Sequence, residues 1–284
     1  MQKHKVRYAV LAVALLFWAG PAWAQSRPLV TEDPETVGPG QVLFEAGVDF
    51  LQDQFYPASG LRGKLLRVGS FGFSFGVSSM AEIQVDGGVR DLFTIKTRLD
   101  APLAGMVTAL GDHTSDFPDA TIGAKVRLMS ESETRPSFAI RFATRLPNEG
   151  NESGLGTDTT DFTFSFLAGK TVQSVRIVGN FGFAILGDPV RGDRQNDVIV
   201  YGFSAARAIA PGVEMVGELN GRQSTRSGTP PIATDSRSIM RLGSRFTRGP
   251  VRIDGAVIVG VTQRDPTWGF TAGLTWVFTG FKVP

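Results

Sequence analysis

The sequence predicts an all-β protein: a single antiparallel transmembrane β-barrel of about 12 strands that follows a cleaved signal peptide. Three observations support this class: a repeated two-residue apolar alternation, alternating long and short connections, and an N-terminal export signal. Residues 71–77, Phe-Gly-Phe-Ser-Phe-Gly-Val, illustrate the alternation. A period of two belongs to extended strands, because their successive side chains point to opposite faces.

The first 24 residues have the pattern of a secretory signal peptide. Lys3, Lys5 and Arg7 form a basic head, an apolar run extends from residue 8 to 20, and small residues precede Gln25. We expect cleavage after Ala24, which leaves a barrel domain at 25–284. A retained membrane helix is the alternative, but the apolar run is shorter than the roughly 20 residues that span a bilayer.

Charge and cysteine content exclude several function classes. The chain has 29 basic and 27 acidic residues. Residues 1–24 contain three of the basic ones and no acidic one, so the mature chain is nearly neutral at 26 against 27. A nucleic-acid partner is therefore not expected. With no cysteine, the chain has no disulfide, zinc thiolate or thiol nucleophile.

Alternating segments divide the mature chain into an even number of strands. The connections between them alternate between polar stretches of about a dozen residues or more and brief turns, which is typical of outer-membrane barrels. The long ones are expected at 52–64, 90–118, 147–159, 186–196 and 223–235. The predicted strands are 42–51, 65–77, 81–89, 119–129, 136–146, 160–170, 174–185, 197–208, 213–222, 236–247, 250–262 and 268–278.

Each strand has one apolar face, and lipid is as good a partner for it as a protein core. In the last strand Trp268, Phe270, Leu274 and Trp276 share a face. A soluble β-sandwich would show the same period. Secretion, strands of about ten residues and the connection pattern favour a membrane barrel, whose closed ring leaves no unpaired edge in hydrocarbon. Arg67 has the wrong parity, and a bulge near residues 69–70 would turn it inward.

If the apolar faces contact lipid, the opposite faces line the lumen and carry both signs of charge. The candidate lumen-lining residues are Glu45, Asp49, Glu82, Asp86, Lys125, Arg127, Arg141, Arg145, Asp161, Arg176, Glu214, Glu218, Arg222, Arg241, Arg245, Arg252 and Asp254. Charges away from bulk water need partners. We interpret them as pairs that stiffen the barrel, as a lining that selects small solutes, or as both.

The charges are sorted by strand, which predicts cross-strand pairs at the strand spacing of about 4.8 Å. Glu82 and Asp86 of the third strand would face Lys125 and Arg127 of the fourth. The ninth and tenth strands would pair in the same way, through Glu214 and Glu218 with Arg241 and Arg245.

Several patterns that resemble chemical sites have simpler explanations. Residues 72–76 match G-x-S-x-G, but a nucleophile elbow needs a strand-to-helix turn and this serine is in mid-strand. If the protein were an outer-membrane hydrolase, its catalytic histidine would have to be His113, the single histidine of the mature chain. A solvated loop histidine is the simpler interpretation. Residues 191–193 resemble the Arg-Gly-Asp adhesion tripeptide, which is commonly a chance match in a polar surface loop. Asp188, Asp193 and Asp197 could offer oxygens to calcium, but their spacing matches no EF-hand pattern. We expect no catalytic residue, metal or cofactor.

Several stretches, taken in order, resemble the outer-membrane transporter family labelled "putative meta-pathway of phenol degradation". The resemblance covers most of residues 27–278, and its motifs are 27–34 with 38–40, 119–127, 146–147 with 154–158, 217–221 and 273–278. It implies a 12-strand-type barrel linked to uptake of aromatic or other apolar compounds, with no agreed set of binding residues. The tail 279–284 departs from the pattern, since such barrels commonly stop at the aromatic strand end.

The leading functional hypothesis is a passive outer-membrane channel or transporter for small solutes, including aromatic or apolar ones. The alternative is a structural or adhesive barrel that acts through its long loops and has a salt-bridged, closed lumen. The expected partners are outer-membrane lipid, a small-molecule solute and the barrel-assembly machinery.

Overall fold

The computed structural model describes residues 26–283, so the predicted signal peptide and its cleavage site lie outside the described residues. One 3-10 turn, Ala104–Met106, accompanies the strands. The strands are β1 Gln41–Tyr56, β2 Leu61–Gly76, β3 Ala81–Arg98, β4 His113–Asp116, β5 Ala120–Met129, β6 Ser137–Leu146, β7 Asp161–Val172, β8 Val175–Gly187, β9 Gln195–Ala210, β10 Val213–Ser224, β11 Arg237–Arg248, β12 Val251–Gly260 and β13 Trp268–Thr279.

All strands except the short β4 form one closed antiparallel ring. Neighbours along the chain pair with each other, and β13 returns to pair with β1 from Gln41↔Thr279 to Gln52↔Trp268. β4 pairs with residues 91–94 of β3, beyond residues 81–86, which pair with β5. The prediction of a 12-strand all-β barrel is confirmed, and every predicted strand segment overlaps one strand of the ring.

The apolar faces point away from the enclosed space. Phe181, Phe203 and Val257 each expose more than half of their surface, while Glu82, Lys125 and other charged side chains on the opposite faces are buried. Exposed large apolar side chains over a whole barrel are suited to contact with hydrocarbon rather than water. Within residues 26–283 no helix is both long and apolar enough to cross a membrane.

The two ends of the barrel differ in their connections. One end, the turn rim, has brief connections such as 173–174 and 211–212, together with Gly40 and the end of β13. The other end, the loop rim, has the long connections, including 147–160 and 225–236. In outer-membrane barrels short turns face the periplasm and long loops face outward, which orients this chain.

The first expected long loop, 52–64, is wrong. β1 and β2 continue through most of it and leave only residues 57–60 as a connection. A register shift between Leu51 and Gln54, with Asp53 at φ 57°, changes which face each residue occupies. Because the bulge breaks the two-residue period, the sequence pattern reads as loop where the chain is still paired.

A second bulge explains the parity of Arg67. Between Gly47 and Val48 of β1, the register skips Gly69 of β2, whose φ is 67°. Glycine takes that conformation without the cost that a Cβ imposes. The bulge turns Arg67 to the inner face, where it forms a salt bridge of 2.6 Å with Asp91.

Candidate functional site

The lumen is crossed by the stretch of chain that precedes β1, residues 26–40, called here the N-terminal segment. Val37 is fully buried, and its N–H donates a 2.6 Å hydrogen bond to Glu82 of β3. At the far end, Ser26 accepts a 2.9 Å hydrogen bond from Arg245 of β11 through its carbonyl oxygen. The segment thus spans from one side of the barrel wall to the other, in the half nearer the turn rim.

Glu32 is the acidic centre of this segment. Its carboxylate lies 3.3 Å from Lys125 Nζ and 3.6 Å from Arg141 Nε. Gln84 Nε2 donates to it at 3.3 Å. Burial acts to raise the pKa of Glu32, but the charges of Lys125 and Arg141 outweigh burial and hold the pKa below its ordinary value. Glu32 is therefore ionised and acts as a fixed negative charge within the lumen.

Two further acids anchor the segment close to the turn rim. Arg176 of β8 donates to both carboxylate oxygens of Asp33, at 2.9 and 2.7 Å. Arg127 of β5 pairs with Glu35, and Arg176 also reaches Glu131. A bidentate guanidinium–carboxylate pair fixes orientation as well as distance. These contacts hold the segment at a defined position across the lumen.

Backbone groups of the segment are also satisfied by the wall. Glu218 of β10 accepts hydrogen bonds from the N–H groups of Val30 and Thr31, at 2.8 to 3.0 Å. Asn180 of β8 accepts from the N–H of Glu32 at 2.7 Å and donates to its carbonyl at 2.8 Å. An extended segment in a low-dielectric interior needs such partners for its polar backbone.

Glycines in the wall make room for the segment. A Cβ at Gly47 of β1 would lie 2.3 Å from Arg27 Nη2, and one at Gly202 of β9 would lie 2.8 Å from Thr31 Oγ1. A real Cβ essentially never comes so close to another heavy atom. The inner wall is therefore shaped to accept this stretch of the chain.

Three of the expected cross-strand pairs form, and one does not. Glu82–Lys125 lies at 3.1 Å, and the β10–β11 pairs Glu218–Arg241 and Glu214–Arg245 lie at 2.7 and 3.9 Å. The expected Asp86–Arg127 pair is wrong. Glu82 is opposite Lys125. Because antiparallel strands run in opposite directions, residue numbers fall along β5 as they rise along β3, so Asp86 is opposite Thr121.

Instead, Asp86 lies 3.7 Å from Arg141 of β6, and Arg127 at the turn rim forms a salt bridge with Glu35. The other lumen candidates are distributed among contacts with the segment, the wall and the connections at the loop rim. Their contacts are Glu45 with the N–H of Arg27, Asp254 with Arg27, Arg145 with Asp119 and Asp161, Arg252 with Glu214, Arg222 with the carbonyls of Ala233 and Asp235, and Asp49 opposite Arg67.

Three adjacent cavities lie above the segment and share lining residues. The first, about 500 Å³, has Ser26, Leu29 and Val30 in its lining together with Arg145 and the wall of β6 to β9. The second, about 330 Å³, is bordered by the same segment and by β9 to β11. The third, about 180 Å³, lies under the loop rim. Arg222 lines all three.

The loop rim partly covers these cavities. Leu155, from the connection 147–160, packs inward against Leu61, Leu65 and Phe93. Ser59 donates a 2.6 Å hydrogen bond to the carbonyl of Gly154, which ties this connection to the turn between β1 and β2. The enclosed space thus has a polar floor, formed by the N-terminal segment, and a partly apolar cover.

The N-terminal segment was not predicted, although the sequence contains a signal for it. Residues 32–35 contain Glu32, Asp33 and Glu35 directly before the first strand, and several inward-facing basic residues lacked an acidic neighbour on the adjacent strand. Such an acidic cluster could have been tested as their partner. The two-residue period gives no information about a stretch that is not a strand.

The residues that resemble an enzyme site remain apart. His113 is exposed on β4, and its Nδ1 lies 3.4 Å from Thr94 Oγ1, a hydroxyl of the neighbouring strand. Among the described residues, no group of three or more His, Asp or Glu side chains has an arrangement that could hold a metal ion. The absence of enzymatic activity stays a prediction.

A closed barrel with an apolar outer face and a charged interior defines an outer-membrane β-barrel protein, in contact with membrane lipid. The chain belongs to the family described as "Putative MetA-pathway of phenol degradation", whose sequence profile matches residues 25–278. A search of the curated proteins found no match.

Solved structures with a similar fold include an outer membrane channel. An outer membrane channel from Pseudomonas putida F1 has a TM-score of 0.59 at 12% identity, over 87% of this chain and 98% of that one. The translocator domain of the autotransporter NalP from Neisseria meningitidis has 0.44 at 9%, over 84% and 86%. The Pseudomonas putida toluene transporter TodX has 0.39 at 11%, over 88% and 92%.

Proposed function

We propose that this protein is an outer-membrane channel through which small solutes, including aromatic or apolar ones, pass down their concentration gradient. The observation that carries the proposal is the series of adjacent cavities between the N-terminal segment and the loop rim. A barrel with a purely structural role has no need for spaces of about 330 and 500 Å³ bordered by both charged and apolar side chains. The similarity to an outer membrane channel supports the same conclusion.

In this proposal the N-terminal segment is the barrier to passage. It crosses the lumen and is held by ion pairs rather than by strand pairing, so it can be displaced without opening the ring. The predicted lumen residues would then act in two ways. Lys125, Arg176 and Glu218 hold the segment, whereas Arg145 and Arg222 line the route above it.

The test compares the full chain with a variant that lacks residues 27–36, both reconstituted in liposomes and planar bilayers. We expect measurable solute-dependent swelling for the full chain and a clearly larger conductance for the deletion variant. A folded barrel that passes no solute in either form would contradict the proposal. That result would favour the structural or adhesive barrel, for which removal of residues 99–112 at the loop rim should alter surface binding.

Assembly is part of the proposal. We infer that the barrel-assembly machinery recognises the final strand, which presents Trp268, Phe270 and Trp276 on its exposed face. The chain continues for a few residues beyond Thr279. Truncation after Phe278 should leave insertion into the outer membrane intact if this strand contains the complete signal.

A further inference from the structure

Two arginines at the loop rim lack the carboxylate partners that the other lumen arginines have. Arg222 of β10 and Arg237 of β11 are direct register partners. Within residues 26–283 neither forms an ion pair, whereas Arg141, Arg145 and Arg241 all do. Like charges directly opposite each other on neighbouring strands destabilise a sheet. This pair therefore needs an explanation other than barrel stability.

The polar atoms of the two side chains are incompletely satisfied. Arg222 donates only to backbone carbonyls, those of Ala233 at 2.6 Å and Asp235 at 3.0 Å. Arg237 Nε is buried and has no hydrogen-bond acceptor in the described chain. Neither neighbouring acid forms an ion pair with these arginines: Asp265 accepts from Ser238 and Thr262, and Asp235 lies 3.9 Å from Arg264. Two guanidinium groups are thus left to contact something in the lumen.

Both arginines line the cavity of about 180 Å³ under the loop rim. Arg145 joins them there and pairs with both Asp119 and Asp161, which also line the cavity. The lining also has apolar members, Phe55, Tyr56, Pro57, Ala58 and Leu155. For comparison, a dry apolar cavity of about 150 Å³ in another protein accommodates benzene. The space is suited to one aromatic ring with an acidic group on one side.

We propose that Arg222 and Arg237 form a binding subsite for the carboxylate of a one-ring aromatic acid, with its ring against Phe55, Tyr56 and Leu155. Arginine presents a planar fork of donors that matches a carboxylate in two parallel hydrogen bonds. An anion between the two guanidinium groups would also remove their mutual repulsion. The inference rests on the channel function proposed above, since it names the class of solute that the channel selects.

The one acid in this cavity that is unpaired does not remove the positive charge near neutral pH. Glu149, from the connection 147–160, has a buried Oε1 without a partner. Its burial, together with the negative charge of Asp91, raises the pKa of Glu149 to about 8. The carboxyl is therefore mostly protonated at pH 7, and the cavity lining, with three arginines against Asp119 and Asp161, keeps a net positive charge.

The test is equilibrium dialysis with the folded full-length protein in detergent micelles. It measures the affinity for benzoate and for neutral benzamide, the matched ligand. We expect benzoate to bind at least about tenfold more tightly than benzamide, as two charged hydrogen bonds would require. Arg237→Gln and Arg222→Gln should each remove this preference. Arg248→Gln, an exposed arginine at the turn-rim end of the same strand, should retain it.

Equal binding of benzoate and benzamide by the natural protein would overturn the proposal, as would a preference that survives both Arg→Gln variants. If Arg237→Gln loses the heat-modifiable mobility of a folded barrel, Arg222→Gln and the charge-retaining Arg237→Lys carry the same test, and Arg237→Lys should keep part of the preference. Liposome swelling with a neutral sugar is measured in parallel. Passage of a solute without a preference for benzoate contradicts only the subsite, whereas absence of passage for both the sugar and benzoate contradicts the channel.

Discussion

Arg176 of β8 donates two parallel hydrogen bonds, at 2.9 and 2.7 Å, to Asp33 of the N-terminal segment. The same guanidinium contacts Glu131 from the connection between β5 and β6. One arginine of the wall thus links the segment that crosses the lumen to the turn rim. Because the contact is an ion pair rather than a strand ladder, the segment and the ring can be perturbed separately.

Asp33→Asn should loosen the N-terminal segment without disturbing the ring. Loss of a charged bidentate contact costs roughly 1.5–3 kcal/mol of docking, while Arg176 keeps Glu131 as a partner. We expect a larger and more variable single-channel conductance in planar bilayers. Asp193→Asn, at an exposed position of the loop rim, is the matched control and should behave as the natural protein does. Identical traces for the two variants would contradict this role of Asp33.

Lys125→Met should destabilise the barrel far more than Lys96→Met. Lys125 is almost fully buried between Glu82 and Glu32, so its removal leaves Glu82 without an ion-pair partner and Glu32 with Arg141 alone, at a cost of roughly 3–5 kcal/mol. Lys96 forms an exposed pair with Asp53 at 2.7 Å, worth about 0–1 kcal/mol. Urea unfolding in detergent, followed by tryptophan fluorescence, measures the difference. Similar midpoints for the two variants would mean that the lumen around Lys125 is well hydrated.

Gly202→Ala should weaken docking of the segment, because its Cβ would lie 2.8 Å from Thr31 Oγ1. The chain has no cysteine, so Leu29→Cys introduces a single buried thiol beside the contact. We expect maleimide to label this thiol several-fold faster in the Gly202→Ala background. Gly179→Ala on the neighbouring strand meets nothing within 4 Å and should leave the rate unchanged. Equal rates in both backgrounds would show that the segment tolerates the added methyl group.

The connection 147–160 should be less firmly packed at alkaline pH. Burial and the negative charges of Asp91, Asp119 and Asp116 raise the pKa of Glu149 to about 8, and the positive charge of Arg67 opposes this rise. In the unfolded chain a glutamate titrates near 4.3. Between these values the packed form holds a proton that the unpacked form has lost, so stability is full at low pH and declines as pH rises towards 8.

Hydrogen exchange of this connection, corrected for the intrinsic pH dependence, measures the decline. Glu149→Gln should remove most of it, because glutamine mimics the protonated carboxyl at every pH. Glu152→Gln, an exposed neighbour in the same connection, should leave the decline in place. A flat pH profile in the natural protein would contradict the buried, unpaired state of Glu149.

Much of the barrel could be predicted from local pattern. The strand that contains Phe71 and Phe73 was identified from its period, and the bulge at Gly69 from the single misplaced charge of Arg67. The extension of β1 and β2 could not be predicted in the same way, because the bulge at Asp53 interrupts the alternation. A period is a property of an uninterrupted ladder, so it fails wherever a residue is inserted into one strand.

The lumen was less predictable than the wall. Sorting charges by strand identified Glu82–Lys125 and Glu218–Arg241, since antiparallel neighbours bring these residues opposite each other. The expected Asp86–Arg127 pair does not form, because in antiparallel strands with Glu82 opposite Lys125 the residue opposite Asp86 is Thr121. Arg127 instead meets Glu35 of the N-terminal segment.

The sequence by itself determined the twelve strands of the ring, the face that each of them presents to lipid and, apart from 52–64, the alternation of turns and loops. These follow from contacts between neighbours along the chain and from the hydrophobic effect, both of which a period records. Tertiary structure alone decided that residues 26–40 cross the lumen and that Arg222 and Arg237 remain without an acid. Those outcomes depend on which side chains converge inside the closed ring, and ring closure brings together residues that are far apart in the chain.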